Sequence, residues 1–285
     1  MDLVQVIVSG ILIGSIYSLV SVGLTLIFGV LNIINFAHGS YLMIGMYVAY
    51  YAWSVAGLDP LIGIVVGAVV LAAAGWLTYW LVIRRLIGKS PLAQIISTFG
   101  ILVALQGLAQ VAFGPNDRAV ANPVAGRLNL NIGQIVVTGP QLAGFLGAVL
   151  FTCLVALLIN RTEVGTAIRA TGEDRGAAAL MGINVRRVDA LTWAIGLSCV
   201  GIAGALLVNS YPVDPNAGVT FGVIAFFAVA LGGFGSIVGA SIAGIILGVA
   251  QNVAALYAPQ YALVALVGIY LVIVLIRPQG LLGTR

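Results

Sequence analysis

Long apolar runs recur along this chain, with only short polar segments between them. A helical membrane span needs about 20 mostly apolar residues, and in hydrocarbon only helices or closed barrels satisfy every backbone polar group. The runs therefore predict an all-α, polytopic transmembrane bundle with eight or nine spans, in one domain covering residues 1–285. The nine runs are 4–30, 39–56, 60–83, 91–113, 141–159, 190–209, 218–231, 236–256 and 260–276.

The composition indicates that lipid, not water, surrounds most of this chain. The sequence is 61% hydrophobic and only 7% charged, which leaves too few charges to cover the surface of a soluble domain. Its 37 glycines suit helices that approach one another closely in a bilayer. We therefore expect a multi-pass membrane protein.

Basic residues concentrate on one side of this topology. If all nine runs cross, ten of the twelve Lys and Arg residues share one side, and only Arg118 and Arg127 lie on the other. Because cytoplasmic loops carry the excess of Lys and Arg, the loop 114–140 is predicted to be extracytoplasmic. The basic residues sit in short loops as topology signals, so no nucleic-acid partner is expected.

The outer loop 114–140 has the pattern of a small hairpin. Apolar and polar residues alternate from Leu128 to Ile132, and Gly133 and Gln134 precede a second apolar run. Alternation across a glycine-containing turn is typical of two antiparallel strands. We expect the hairpin to cap the bundle, and docking of an external protein is the alternative.

A charged island interrupts the apolar pattern at residues 160–189. Nine of the twenty charged residues lie between Arg161 and Asp189. Acidic residues favour the start of a helix and glycine favours its end, so a short helix is predicted from Glu173 to Met181, after an earlier one at 164–170. Helices this short need tertiary support, from the bundle or from a second protein. A solvated loop that only signals topology is the alternative.

Two breaks between the apolar runs place polar or flexible residues at membrane depth. The first break covers residues 32–40 and the second covers residues 232–236. Such residues usually face a cavity or another helix, and broken helices in transporters often line the substrate path. Each break is either a re-entrant turn or a surface loop, and we expect both to contribute to the path. For the single histidine, packing is favoured over proton relay because no acidic residue lies within a predicted span. The candidate path residues are Asn32, Asn35, His38, Ser40, Gly233, Gly235 and Ser236.

The sequence contains no pattern typical of catalysis. The segment Gly88-Lys89-Ser90 resembles the end of a phosphate-binding loop, but Ile83 stands where its first glycine belongs. No nucleophile triad or metal-ligand spacing is present. We therefore expect no catalytic residue, metal or cofactor on this chain. The lack of acidic residues in the spans also disfavours an ion-coupled transporter or a channel.

Within the island, Gly176-Ala177-Ala178-x-x-x-Gly182 resembles the signature of the coupling helix in ABC importer permeases. With YSLVSVGLTLIFGVLNIINFAHGSYLMIGMYVAY near the start and ALGGFGSIVGASIAGIILG near the end, the whole chain resembles LivH-type permeases of branched-chain amino-acid importers. One departure is Gly176, where many relatives have Glu. The coupling residues expected from this resemblance are Glu173, Asp174, Arg175, Gly176, Ala177, Ala178 and Gly182.

The resemblance also implies a set of partners. These are a second, related permease, two cytoplasmic ATPases that bind ATP and Mg²⁺, and a periplasmic substrate-binding protein, assembled in the bacterial inner membrane. The expected activity is passage of branched-chain aliphatic amino acids, driven by the ATPases. Urea, short amides or other amino acids are alternative substrates, since similar permeases carry them.

Overall fold

The structure is a computed structural model that describes residues 3–121, 126, 129–132, 135–277 and 279–282. Within these residues the chain forms eleven α-helices and one two-stranded sheet. The helices are α1 (Leu3–Leu31), α2 (His38–Ser54), α3 (Pro60–Leu81), α4 (Pro91–Phe113), α5 (Gly139–Arg161), α6 (Glu163–Glu173), α7 (Arg175–Leu180), α8 (Val185–Leu207), α9 (Ala217–Gly232), α10 (Ile237–Tyr257) and α11 (Ala262–Ile276). The strands are β1 (Asn129–Ile132) and β2 (Ile135–Thr138).

The all-α bundle is confirmed, but the predicted count of eight or nine spans is wrong. Seven helical segments in the described part of the chain are long and apolar enough to cross a membrane. Five are the helices α1, α4, α5, α8 and α10; the other two are α3 with the 3-10 turn that follows it (Ile62–Arg85) and α11 with the 3-10 turn that precedes it (Pro259–Ile276, 18 residues). The helices α2 and α9 contain 17 and 16 residues, which rise only about 24–26 Å. They are shorter than the roughly 30 Å hydrocarbon core because residues on either side of them leave the helical conformation.

The core is built around α1 and α8, most of whose residues are buried, whereas α4, α5 and α11 lie at the periphery. The most extensive packing joins α1 to α10 and α3 to α8. Glycines permit the first of these contacts. A Cβ atom on Gly14 would lie 2.8 Å from the Cα of Ile245, and one on Gly244 would lie 2.5 Å from the backbone nitrogen of Ser18. The two backbones therefore touch directly, as close helix packing in lipid requires.

The predicted outer hairpin is confirmed. The strands β1 and β2 pair antiparallel, with Asn129 opposite Thr138 and Ile132 opposite Ile135. The side chain of Gln5 on α1 donates to the carbonyl oxygen of Val136 at 2.9 Å and accepts from its backbone nitrogen at 2.8 Å. The hairpin is thus fastened to the start of α1. The Gly133–Gln134 turn, Leu128 and Arg127 lie outside the described residues.

Arginines mark one end of the bundle, which we call the basic end. Arg84 and Arg85 follow α3, and Arg175 at the start of α7 and Arg186 at the start of α8 lie near them. At the opposite end, Arg118 exchanges backbone hydrogen bonds with Val213. The positive-inside rule predicts that the basic end faces the cytoplasm.

Candidate coupling site and translocation path

Two short helices, α6 and α7, form the charged island at the basic end. The Thr162 hydroxyl accepts from the backbone nitrogen of Gly165 at 3.0 Å and so caps α6. Asp174 is extended (φ −149°, ψ 106°) and separates the two helices. Its Oδ1 accepts from the nitrogens of Gly176 and Ala177 at 2.8 and 3.0 Å. An aspartate cap of this kind satisfies backbone donors at a helix start, so Asp174 fixes where α7 begins.

The tip of α7 presents an apolar surface to its surroundings. Leu180 is 90% exposed and the adjacent Met181 is 83% exposed, whereas Ala178 is buried against the rest of the protein. Gly182 ends the segment with φ +85°, a left-handed conformation that glycine adopts without steric cost. Two large apolar side chains at a protruding helix end are suited to insertion into a groove of another protein.

A buried ion pair ties α7 to the transmembrane helices. The Arg175 guanidinium donates to both carboxylate oxygens of Asp189 on α8, at 3.0 and 2.6 Å. It also donates to the carbonyl oxygen of Val30 in the last turn of α1, at 3.3 Å. The Tyr79 hydroxyl of α3 donates to the same carboxylate at 3.4 Å. One planar guanidinium therefore joins α7, α1 and α8, and its carboxylate partner adds α3.

The first break is a re-entrant segment buried in the bundle. Residues 32–37 are not helical, and α2 begins where His38 Nε2 donates to the carbonyl oxygen of Val20 at 2.9 Å. Val20 lies eleven residues before the end of α1, a rise of about 16 Å. The Thr98 hydroxyl of α4 donates to the carbonyl oxygen of Ile34 at 3.0 Å. The chain thus turns back between α1 and α4, and α2 starts within the bundle.

The second break lies at the basic end, against the last turns of α1. Gly233 and Gly235 have φ values of +98° and +84°, which favour glycine. The backbone nitrogen of Gly235 donates to the Thr25 hydroxyl at 3.0 Å. The Ser236 hydroxyl accepts from the nitrogen of Gly239 at 3.0 Å and caps α10. This break is a tight turn between α9 and α10, held by a side chain of α1.

Two cavities lie at opposite ends of the contact between α1, α5 and α10. The cavity at the basic end has a volume of about 480 Å³ and is bounded by the last turns of α1, by α6 and by the second break. Asn32, Gly235, Ser236 and Glu173 are among its lining residues. The cavity at the other end has a volume of about 510 Å³, with Asn209 and Asn252 among its lining residues.

Comparison with known proteins identifies the family of this bundle. The model of the family described as the permease component of branched-chain amino acid transport systems matches residues 6–275. The chain belongs to this family. The permease is 35% identical over 294 residues to BraD of Pseudomonas aeruginosa, a high-affinity branched-chain amino acid transport system permease, covering 98% of this chain and 95% of BraD.

A second relative agrees with this assignment, and a solved structure has a similar fold. LivH of Escherichia coli, a permease of the same kind of system, is 34% identical over 288 residues, covering 96% of this chain and 94% of LivH. Among solved structures, PsaBC from Streptococcus pneumoniae in complex with Fab resembles the permease with a TM-score of 0.52 at 13% identity, covering 98% of this chain and 93% of that one. This structural likeness concerns the fold alone. The permease is a transport component, not an enzyme.

The permease brings the predicted path residues together only in part. Asn35, His38 and Ser40 are buried at the first break. Asn32 is exposed at the end of α1 and shares the basic-end cavity with the second break. It adopts φ +52°, which asparagine tolerates better than most residues. The bond from His38 to Val20 agrees with the packing role that the sequence favoured.

One predicted boundary within the coupling loop is wrong. Glu173 lies in the last turn of α6 and not in the first turn of the next helix, because Asp174 takes the capping position instead. Sequence reasoning also missed Asp189, Tyr79 and Thr25, which hold the loop and the second break in place. Asp189 gave the clearest signal, since it is an acidic residue directly before the long, mostly apolar part of α8.

Proposed function

We propose that this permease forms half of the pore of an ATP-driven importer for branched-chain aliphatic amino acids in a bacterial cytoplasmic membrane. The observation that carries this proposal is the apolar tip of α7, a nearly fully exposed Leu180 and Met181 on a helix that is fastened to three transmembrane helices. A loop with only a structural role would not require two exposed apolar side chains at its tip. A helix that docks into a groove of an ATPase subunit would require them.

The energy source in this proposal lies on separate ATPase subunits. Two cytoplasmic ATPases would bind ATP and Mg²⁺, and each would receive an α7 tip in a groove on its surface. Residues 173–178 and Gly182 would form the coupling element of this chain. Closure of the ATPases would displace α7, and a displacement can bias the pore only through contacts that differ between its two states.

The Arg175 contacts support a route for that displacement. Because its guanidinium binds Asp189 on α8 and the Val30 carbonyl on α1, movement of α7 would pull on both core helices. The end of α1 also bounds the basic-end cavity and bonds to the second break. Closure of the ATPases would therefore shift Asn32, Gly235 and Ser236. The cytoplasmic opening of the path would widen or narrow around these residues.

The substrate and partner assignments draw on the relatives and on the exposed faces of the bundle. BraD and LivH are named for branched-chain amino acid transport, and the cavity at the outer end mixes apolar side chains with amide groups, which suits an aliphatic amino acid. The peripheral helices α4, α5 and α11 expose apolar faces. Part of this surface would pack on a second permease, the rest would contact lipid, and a periplasmic binding protein would deliver substrate at the outer end.

Reconstitution tests the proposal. The permease, a candidate second permease and two ATPases are placed in liposomes with the binding protein outside and ATP inside. Uptake of labelled leucine, isoleucine and valine is expected, and it should stop without ATP or without the binding protein. Faster uptake of urea or a short amide would overturn the substrate assignment. Uptake driven by an ion gradient without ATPases would overturn the importer assignment itself.

A further inference from the structure

A third cavity lies at the basic end, apart from the proposed path. It has a volume of about 570 Å³ and is enclosed by the end of α3, by α7 and by the start of α8. Its lining includes Trp80, Arg84, Arg85, Arg175, Arg186 and Asp189. Four arginines and one aspartate thus share a single cavity.

The positive charge of this cavity is only partly compensated. Arg175 and Asp189 pair with each other, and theirs is the one ion pair between side chains in the part of the chain that the structure describes. The other three arginines of the cavity, Arg84, Arg85 and Arg186, thus have no carboxylate within 4.0 Å among those residues. About three positive charges remain for an anionic ligand.

Aromatic and apolar residues place this cavity at the level of a membrane surface. The guanidinium carbon of Arg84 lies 5.2 Å from the ring centre of Trp80, and Trp side chains concentrate at membrane–water interfaces. The same side of α3 continues away from the arginines as an exposed apolar stripe that includes Val69, Leu77 and Leu81. The cavity therefore opens beside a surface that suits an acyl chain.

We propose that this cavity binds the phosphate headgroup of an anionic phospholipid of the cytoplasmic leaflet, with its acyl chains along α3. Arginine forms bidentate hydrogen bonds with phosphate, and basic pockets at the cytoplasmic side of membrane helices attract anionic headgroups. The apolar stripe favours a lipid over free phosphate, which has no apolar part. It also favours a lipid over an acidic segment of a soluble subunit, because such a segment would leave the stripe unexplained.

The bound lipid would have a structural consequence. Because the cavity contains residues of α3, α7 and α8, a headgroup would bridge the coupling loop and the bundle beside the Arg175–Asp189 pair. It would also screen the repulsion between Arg84, Arg85 and Arg186. Anionic lipid is therefore expected to stabilise the permease more than neutral lipid with the same chains.

The test uses purified permease in a neutral detergent. Phosphatidylglycerol or phosphatidylcholine with identical acyl chains is titrated, and bound lipid is counted by native mass spectrometry. Thermal stability is measured in parallel. We expect one retained phosphatidylglycerol, at least tenfold weaker retention of phosphatidylcholine, and at least tenfold loss of phosphatidylglycerol retention in the R84Q/R186Q variant. The R84K/R186K variant keeps the charge and topology signal, and an intermediate loss is expected because lysine lacks the bidentate fork.

Four outcomes would overturn the proposal. These are equal retention of both lipids, unchanged retention in R84Q/R186Q, full competition by inorganic phosphate at millimolar concentration, and displacement of the lipid when ATPase subunits bind. The third would identify a free-anion site, and the fourth would assign the arginines to the ATPase interface. Retention of phosphatidylglycerol in the assembled complex would support the lipid site.

Discussion

The Arg175–Asp189 pair predicts an asymmetric response to mutation. The Asp189 side chain is 1% exposed and the Arg175 side chain is 35% exposed. In the R175Q variant, the carboxylate, whose side chain is 1% exposed, would lose its cation and keep only the 3.4 Å hydrogen bond from Tyr79. In the D189N variant, the guanidinium would still reach water and the Val30 carbonyl. We therefore expect R175Q to destabilise the permease more than D189N does.

The structure sets the size of each effect. Removing one partner of a buried ion pair costs about 3–5 kcal/mol, and this range applies to R175Q because Asp189 is enclosed. D189N loses charge-assisted hydrogen bonds and leaves a partly solvated cation, so its cost is expected to be about 1.5–3 kcal/mol. The double variant removes the unpaired carboxylate, so it should be more stable than R175Q alone. The coupling energy must then exceed the cost of D189N, which places it near the upper end of the roughly 0.5–3 kcal/mol range for interacting pairs.

Unfolding in mixed detergent micelles would measure the free energies of the single and double variants. R169Q is a matched control in the same loop, because exposed Arg169 makes only two long hydrogen bonds, of 3.4 Å each, and no ion pair among the described residues. Its cost should be below about 0.5 kcal/mol. Below the unfolding temperature, R175Q complexes in liposomes should hydrolyse ATP but import less substrate per ATP. Equal costs for R175Q and D189N with strict additivity would refute the reasoning.

Three further predictions follow from the geometry. Replacing Leu180 or Met181 with serine should weaken binding of the ATPases, by about 1.5–3 kcal/mol for leucine, while the isolated permease keeps its stability. Pull-down titration measures the affinity of the permease for the ATPases, and an unchanged affinity would contradict docking through the tip. Alanine at Gly39 would drive its Cβ into a backbone carbonyl of α9 and should cost about 1–3 kcal/mol or more. Alanine at Gly100, where an added Cβ would meet nothing within 4 Å beyond its own helical turn, is the control. Equal yields of folded protein would count against the α2–α9 contact. Replacing Thr25 with valine removes the acceptor at the second break and should cost about 1–3 kcal/mol in unfolding assays, whereas serine should restore stability.

The sequence predicted the elements with continuous apolar patterns well. The span 91–113 coincides with α4, where Ser90 caps the start and Gly114 ends the helix. The hairpin and two short island helices are also present as capping and turn residues indicated, although the boundary between the two helices differs from the predicted one. These features depend on neighbouring residues, so local patterns are sufficient to locate them.

Features that depend on distant contacts were not predictable in the same way. The depth of the first break follows from two hydrogen bonds, one from His38 to Val20 and one from Thr98 to Ile34. Apolar content alone does not distinguish a re-entrant segment from a surface loop. The span count was wrong for this reason. The Arg175–Asp189 pair likewise joins residues 14 positions apart across a turn, and no periodicity relates them. The assignment of path and coupling residues remains a prediction for the experiments above.

The contact between α1 and α10 joins two helices that are synthesised far apart in time. Ser18 bonds to the backbone of Ser241, 223 residues later in the chain. At about 5–20 residues per second, roughly 10–45 s pass between insertion of α1 and arrival of its principal neighbour. During that interval the glycine face of α1 must lie against lipid or a chaperone. The newly made protein therefore remains open along this seam until its C-terminal quarter enters the membrane, which makes that interval the time when it is most vulnerable to proteolysis.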